Sequence, residues 1–195
     1  MSTKKRLREV TIGEPTLHND RITLVDYDPR WPVLFGREAA RIRRALGERS
    51  LGIEHVGSTS VPGLIAKPVV DLLLEVADSA DEPAYVPALE ANGYVLRIRE
   101  PKWHEHRLFK GPDTNINLHV FGRDCPEIKR MISFRDRLRE DAADRDLYAR
   151  AKRTLAQRPW RYVQDYADQK SAIVEEIVAR AASGAVPPAT GRSGG

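Results

Sequence analysis

Residues 56–76, VGSTSVPGLIAKPVVDLLLEV, combine small residues, a lysine and a single aspartate at a spacing that suits phosphate chemistry. Gly57 allows the backbone to approach a phosphate closely, and the hydroxyls of Ser58 and Thr59 can donate to phosphate oxygens. Asp71 lies in the next apolar run and offers the oxygen ligand that Mg²⁺ prefers. The spacing therefore predicts a site for a triphosphate with Mg²⁺. The alternative is that the glycine only shapes a turn and Asp71 only begins a strand, and the spacing is equally consistent with this alternative.

Lys67 is a candidate for a catalytic role beside Asp71. It precedes Pro68, at the mouth of the predicted strand that carries the aspartate. An ammonium group at this position would neutralise both the carboxylate and a bound phosphate. The alternative is a simple salt bridge between Lys67 and Asp71, without any part in ligand binding.

His119 is the second candidate for a catalytic role. In the run LHVF, residues 118–121, the side chains of Leu118 and Val120 alternate onto the core face. This alternation leaves Asn117 and His119 together on the opposite face. Imidazole is not a favoured Mg²⁺ ligand, so His119 is predicted to be a general base, a donor to phosphate or a structural hydrogen-bonding group.

Three basic residues occupy positions where the helical period predicts an apolar side chain: Arg135, Lys152 and Lys170. Lys170, for example, continues a stripe formed by Tyr162 and Tyr166 at intervals of four residues. An inward-facing cation needs a partner, so these three residues are predicted to converge on the site as a phosphate clamp. The alternatives are pairing with internal aspartates such as Asp136 or Asp165, or long stems that snorkel towards water.

The remaining polar candidates are histidines near the predicted strands. Glu54 and His55 point to opposite faces, so at most one of them faces the site, and His55 is the slightly favoured one. His104 and His106 share a face and suggest a metal pair. No third ligand stands at a defined spacing, which favours solvated strand histidines instead.

A mixed sheet flanked by helices is predicted to position these residues. A helix begins at Pro32 and ends at Gly47, since proline suits a first turn and glycine suits a helix end. Alternating runs around GPDTN, within residues 103–121, are typical of a β-hairpin. Further strands are predicted in residues 51–58, 67–77 and 94–98, and a short helix in residues 81–93.

The C-terminal part changes to a helical period throughout, in roughly three segments: residues 126–140, 146–157 and 162–181. Strands followed by helices indicate an α/β or α+β fold with a helical C-terminal portion. We expect one domain over residues 21–182. The flanking segments, an N-terminal arm at 1–20 and a tail at 183–195, are predicted to be mobile.

The composition excludes several classes of protein. The 195 residues include 32 Lys+Arg and 28 Asp+Glu, a formal charge of +4 that permits an anionic ligand without requiring nucleic acid. Cys125 is the single cysteine, which excludes an intrachain disulfide framework and a four-cysteine zinc site. No apolar run approaches the roughly 20 residues that span a bilayer. We therefore expect a soluble, cytoplasmic protein.

The segment EHVGSTSVPGLIAKPVVD, residues 54–71, resembles the GrpB family of bacterial proteins, which is related to the nucleotidyltransferase superfold. The resemblance covers about residues 22–178 and includes VDYDPRWPVLF, LHVF, FRDRLRE and YADQKSAI. It implies a nucleotidyltransferase-like mixed sheet, with Gly57 and Ser58 at the phosphates and Asp71 at Mg²⁺. Some members are fused to dephospho-CoA kinase, and the resemblance implies a fold more firmly than a reaction.

The sequence departs from the active nucleotidyltransferase pattern at one important position. That pattern has a second carboxylate two residues after the first, where this chain has Leu73. Glu75 shares the strand face of Asp71, but at ~3.3 Å per residue it lies ~13 Å along the strand. A two-metal mechanism is therefore in doubt. A single-ion site remains open if Ser58, phosphate oxygens and a residue of the LHVF strand join Asp71.

Three functions are consistent with these patterns. The first is an Mg²⁺-dependent enzyme that uses ATP or another nucleoside triphosphate and transfers a nucleotidyl group to, or activates, a small-molecule acceptor. The second is a non-catalytic module that binds a nucleotide or a CoA-type ligand, which Leu73 favours. The third is an RNA-binding accessory domain, supported by the basic N-terminal arm but not by any interleaving of aromatic and basic residues.

Overall fold

The structure is a computed structural model that describes residues 2–183. The strands are β1 (Asp20–Arg21), β2 (Gly52–Val56), β3 (Val70–Val76), β4 (Val95–Glu100), β5 (His106–Lys110), β6 (Ile116–Gly122) and β7 (Pro159–Trp160). The helices are α1 (Thr3–Val10), α2 (Trp31–Leu46), α3 (Val86–Ala91), α4 (Pro126–Glu140), α5 (Ala142–Ala156), α6 (Val163–Gln169) and α7 (Ser171–Ser183). Among the described helices, none combines the length and apolar character needed to cross a membrane.

A five-stranded mixed sheet in the order β2-β3-β6-β5-β4 forms the centre of the molecule. β3 is parallel to β6, and the other neighbours are antiparallel. β3 lies inside the sheet because it is apolar on both faces: Leu72 and Leu74 are buried on one side and Leu73 on the other. The predicted mixed sheet and the predicted β5-β6 hairpin are both confirmed.

Helices α2 and α3 cover the first face of this sheet. α2 begins at Trp31 with Pro32 in its first turn and ends before Gly47, as the sequence predicts. Its residues Ala39, Ile42 and Leu46 are buried in the main hydrophobic core between the helix and the sheet. This layer contains most of the apolar core and leaves the polar candidates to the opposite face.

The C-terminal helices lie on the second face of the sheet. α4 packs over Leu73 and Phe121 through Ile128 and Met131. α5 and α7 contribute to a separate apolar cluster with the segment that follows β2. The third predicted helical segment is divided in the structure, because α6 ends at Gln169 and α7 begins at Ser171. This break lies at Lys170, one of the predicted phosphate-binding residues.

Helix α1 lies in the segment 1–20, for which the sequence predicts a mobile arm. Arg6 forms a salt bridge of 2.5 Å with Asp168 of α6, and the Ile12 backbone donates to the Arg97 carbonyl of β4 at 2.8 Å. The structure thus packs this segment against the edge strand β4 and against α6. The sequence does not indicate this helix because eight residues are too few to show a sustained period. The predicted tail lies outside the described residues, apart from its first residue.

Candidate active site

The turn after β2 and the beginning of β3 border one cavity, which we call the lysine cavity. Its volume is about 130 Å³, and it is lined by Ser58, Thr59, Lys67, Val69, Asp71, Asn117, Lys152, Tyr166 and Lys170. Val56 is paired with Asp71 in the antiparallel β2-β3 ladder, so the chain leaves β2 beside the carboxylate. The volume suits one or two phosphate groups and is smaller than the several hundred Å³ of a typical pocket for an organic ligand.

Gly57 is required by the position of the Asp71 side chain. It adopts a φ of 69°, in the left-handed region that strains other residues. A Cβ atom on Gly57 would lie 2.3 Å from Oδ2 of Asp71. The sequence predicts that this glycine gives space to a phosphate. In the structure, the group that occupies the space beside its Cα is the carboxylate.

Replacing Gly57 by Ala is expected to destabilise the protein more than replacing Gly63 by Ala. Both glycines have positive φ, but a Cβ atom on Gly63 would meet nothing within 4 Å. We expect backbone strain of about 1–2 kcal/mol at both sites and a further loss of about 1–3 kcal/mol at Gly57 from the clash with Asp71. Urea denaturation of the two variants measures the difference. Equal losses would contradict the requirement that the carboxylate imposes.

The Asp71 carboxylate is held by polar groups from the neighbouring strands. Its Oδ1 accepts a hydrogen bond of 2.7 Å from the Asn117 amide and lies 3.8 Å from Nε2 of His119. Lys110 donates to the Asn117 side-chain oxygen at 2.5 Å, which fixes the orientation of the amide. Burial raises the pKa of Asp71, but His119 in its protonated form, the Asn117 hydrogen bond and the nearby Lys67 outweigh burial and lower it. Asp71 is therefore held as a carboxylate.

Three lysines line the lysine cavity around this single carboxylate. Burial lowers the pKa of Lys152 to about 6, and it lowers the pKa values of Lys67 and Lys170 to about 8. Lys152 is buried, and its side-chain nitrogen donates to the carbonyl of Ile65. Repulsion from Lys170 lowers the pKa values of the other two further. Asp71 does not balance this cluster, so an anion in the cavity would stabilise it.

The residues at the cavity do not fit a Mg²⁺ centre built by the protein. Within residues 2–183, no group of three or more His, Cys, Asp or Glu residues could hold a metal ion. Leu73 is buried in an apolar cluster with Val56 and Phe121, at the position where the active nucleotidyltransferase pattern has its second carboxylate. Glu75 lies near the far end of β3. The nearest group to Asp71 is an amide donor, which cannot ligate a cation, and the surrounding lysines repel one.

Arg135 lies outside the lysine cavity, unlike the other two members of the predicted clamp. Its guanidinium donates to Glu54 at 2.6 Å, to the His55 carbonyl at 3.0 Å and to Asp136 at 2.8 Å. The carboxylates of Glu54 and Asp136 therefore neutralise Arg135. This arrangement corresponds to the alternative in which Arg135 pairs with an aspartate such as Asp136. The structure places Lys152 and Lys170 together at the cavity, as predicted, and Lys67 takes the place of the third cation.

His55 supports the turn after β2 and does not face the cavity. Its ring stacks on Phe35 with 4.9 Å between the centroids, and its Nε2 lies 3.1 Å from the Thr59 hydroxyl. Burial lowers the pKa of His55 to about 4, so the ring is neutral near pH 7. The Thr59 hydroxyl is engaged by this contact, while the residue itself lines the cavity. His55 is thus a structural residue.

A hydrogen-bonded chain of side chains, which the sequence did not indicate, runs from the cavity across the sheet. Nδ1 of His119 lies 3.1 Å from Nε2 of His106, and Nδ1 of His106 lies 2.8 Å from Oε2 of Glu100. His106 is buried, whereas His104 is exposed in the preceding turn with a φ of 55°. The two histidines considered as a metal pair therefore have separate environments. The register of β4, β5 and β6 brings these residues together, and the sequence alone does not reveal that register.

The lysine cavity adjoins a larger space of about 650 Å³ on the second face of the sheet, which we call the sheet groove. The two spaces share the lining residues Lys67, Val69, Asp71 and Asn117. Apolar and polar side chains from the sheet, α1 and α6 line the groove, among them Leu7, Ile98, Leu108, His119, Gln164 and Ala167. Its volume is that of a pocket for a small organic molecule. A phosphate group and an organic moiety can therefore lie side by side here.

A family model described as GrpB protein matches residues 21–180. A UPF0157 protein of Halalkalibacterium halodurans is 65% identical over 179 residues, which cover 92% of this chain and 92% of that protein. A UPF0157 protein of Streptomyces coelicolor is 46% identical over 160 residues, 82% of this chain and 84% of the relative. The crystal structure of conserved protein GrpB from Enterococcus faecalis has a TM-score of 0.71 and 31% identity, and the match covers 83% of this chain and 98% of that one. This chain therefore belongs to the GrpB family.

Proposed function

We propose that this protein binds the phosphates of ATP or another nucleoside triphosphate in the lysine cavity and transfers a nucleotidyl group to, or activates, a small-molecule acceptor. The observation that carries the proposal is the excess of positive charge in a cavity of phosphate size. Lys67, Lys152 and Lys170 line it, and Asp71 is the one acidic residue among the residues that line it. Ammonium groups beside phosphate oxygens form strong, charge-assisted hydrogen bonds.

The surroundings of the cavity support an enzyme that joins two molecules. The hydroxyl of Ser58 adds a donor for phosphate oxygens at the wall of the cavity. The sheet groove adjoins the cavity and gives space to a nucleoside or an acceptor. Asp71 and His119 lie at this junction, where a reacting group would meet the phosphates. In this proposal the lysines neutralise the phosphates, and the dependence on Mg²⁺ stays a prediction.

The second candidate function is a non-catalytic module that binds a nucleotide or a CoA-type ligand through its phosphates. The observation in its favour is Leu73, which is buried with apolar neighbours where the active nucleotidyltransferase pattern has its second carboxylate. Both functions require phosphate binding in the lysine cavity. They differ in whether a bond is broken after binding, so product formation separates them.

ATP binding is expected to take up protons near pH 8. At this pH the pKa values of about 8 leave Lys67 and Lys170 partly deprotonated, and Lys152, with a pKa of about 6, is largely neutral. Bound phosphates favour the charged amines, so these pKa values rise on binding and protons enter from solution. We expect an uptake of about one proton or more. Calorimetry in buffers with different ionisation enthalpies measures it.

The same coupling fixes the direction of the pH dependence. Because the charged amines bind the phosphates, the affinity for ATP should fall as the pH rises from 7 to 9. Lys152→Met should take up fewer protons than the wild type, since it lacks the amine with the lowest pKa. ATP binding without proton uptake would place the phosphates outside the lysine cavity. An absence of binding for ATP and the other nucleoside triphosphates would reject the proposed function.

A further inference from the structure

The chain from Glu100 to His119 determines which nitrogen of each histidine carries a proton. His106 faces a carboxylate through Nδ1, so its neutral ring carries the proton on Nδ1 and donates it to Glu100. Nε2 of His106 is then an acceptor, and it lies 3.1 Å from Nδ1 of His119. His119 therefore carries its proton on Nδ1 as well. Its Nε2 is left with a lone pair that faces the junction of the cavity and the groove.

Packing holds this arrangement in place. The His106 ring stacks on Phe121 with 4.8 Å between the centroids and meets Trp103 in a T-shaped arrangement, and its plane lies 21° from that of the hydrogen-bonded His119 ring. His106 is only 3% exposed, and burial lowers its pKa, which keeps the ring neutral. Nε2 of His119 is 3.8 Å from Oδ1 of Asp71, too far for a direct hydrogen bond. The nitrogen is thus free to accept a proton from a bound molecule.

We infer that the acceptor in the proposed reaction is an alcohol bound in the sheet groove, and that His119 takes the proton of its hydroxyl. The alcohol oxygen attacks the α-phosphorus of the nucleoside triphosphate and forms a new P–O bond. The bond from that phosphorus to the leaving pyrophosphate breaks, and pyrophosphate retains the electron pair. The hydroxyl proton passes to Nε2 of His119. The resulting imidazolium donates to His106 through Nδ1, and the Asp71 carboxylate, 3.8 Å from Nε2, balances its charge.

The chemistry of the reaction favours an alcohol over other nucleophiles. An amine is a cation near neutral pH and has no lone pair for attack on phosphorus. A carboxylate has no proton to give, so it would not need the lone pair on His119. A hydroxyl needs a base near neutral pH. Leu108 and Ile98 line the groove beside His119 and provide a contact surface for an apolar body.

The arrangement of protons can be measured without any ligand. Long-range ¹H–¹⁵N correlation spectra of the ¹⁵N-labelled protein at alkaline pH distinguish the two neutral forms of each histidine, and His119→Gln assigns the signals. We expect His106 and His119 to carry the proton on Nδ1. His106→Phe retains the stacking but removes the acceptor, so His119 should change to the form with the proton on Nε2. A wild-type His119 with its proton on Nε2 would overturn the inference.

Glu100 offers a matched pair of variants. In Glu100→Ala, His106 loses its acceptor, so the proton of both His106 and His119 should move from Nδ1 to Nε2. Glu100→Gln keeps an acceptor oxygen and should preserve the wild-type spectrum. The signals of His55 report whether the fold is intact, because this ring lies against Thr59 and Phe35. If Glu100→Ala leaves the His119 signals unchanged in a folded protein, Glu100 and His106 are not positioning residues.

The class of acceptor is tested with three matched probes: benzyl alcohol, benzylamine and benzoate. We expect benzyl alcohol to raise pyrophosphate release from ATP at least tenfold, while benzylamine and benzoate leave it near the background. Release that benzyl alcohol does not raise, or that the amine or carboxylate raises equally, would overturn the assignment of an alcohol. This inference depends on the proposed function, but the spectra do not. The expected spectra together with a failure to bind nucleotide would reject only the function.

Discussion

The double variant Lys67→Met/Lys170→Met should bind ATP at least about 100-fold more weakly than the wild type at pH 7. The pKa values of about 8 leave both amines largely charged at this pH, so both can donate to phosphate oxygens. A hydrogen bond to a charged group contributes about 1.5–3 kcal/mol. Two of them contribute about 3–6 kcal/mol, and each 1.4 kcal/mol corresponds to a factor of ten. Methionine retains most of the stem and removes the charge.

The control for this variant carries the same change at lysines outside the cavity. Lys102 and Lys129 are exposed, and neither lines the lysine cavity, so Lys102→Met/Lys129→Met should leave ATP affinity within about threefold of the wild type. Calorimetry measures both affinities, and circular dichroism checks the fold. An unchanged affinity in the folded double variant of Lys67 and Lys170 would assign these lysines to packing, with stems that snorkel towards solvent.

The sheet could be predicted from the sequence because its signals are local. The alternating residues around GPDTN form the β5-β6 hairpin in the structure. The apolar run after Pro68 forms β3, which is buried on both faces. The division between α6 and α7 could not be predicted. Tyr162, Tyr166 and Ile173 continue one helical stripe through Lys170, so the period gives no indication that the helix stops there.

Much of the candidate site also followed from short-range patterns. Ser58 and Asp71 are brought together by a turn between two adjacent antiparallel strands, which their spacing indicates. Lys152 and Arg135 show the limit of this reasoning. Both are buried, as their apolar stripes predict, but one borders the cavity and the other binds Glu54 on another part of β2. An apolar stripe on a helix predicts that a basic residue within the stripe is buried. The direction in which the helix packs then determines which group that residue contacts.

The chain of Glu100, His106 and His119 depends on long-range geometry. It requires the pairing of three strands, with a register shift in β4 between Leu96 and Ile98. A shift of one residue turns every following side chain to the other face, so a sequence pattern alone does not place Glu100 opposite His106. The contacts of α1 are equally non-local, since they join the start of the chain to β4 and α6.

Asp71→Asn should lower turnover by at least about 100-fold if the protein is a nucleotidyl-transferring enzyme. The carboxylate stabilises the positive charge that His119 gains with the proton, and loss of such a transition-state interaction costs several kcal/mol. Asparagine has the same shape and can still accept the Asn117 hydrogen bond. The fold should therefore be preserved. Asp146→Asn, at an exposed position of α5, provides the matched control and should retain wild-type turnover.

Nucleotide affinity should change in the opposite direction to turnover in the Asp71→Asn variant. Removal of a negative charge beside the bound phosphates relieves repulsion, so ATP affinity in the presence of a chelator should stay level or rise. The affinities of both proteins are measured with Mg²⁺ and with chelator, together with pyrophosphate release. Mg²⁺-dependent release by the wild type alone would establish the enzyme and a metal that arrives with the triphosphate. The binding module would instead be established by three results together: tighter binding by the variant, no effect of Mg²⁺ on the wild type, and no product with any acceptor. In that case the lysines suffice to hold the phosphates, and Asp71 only repels the phosphates.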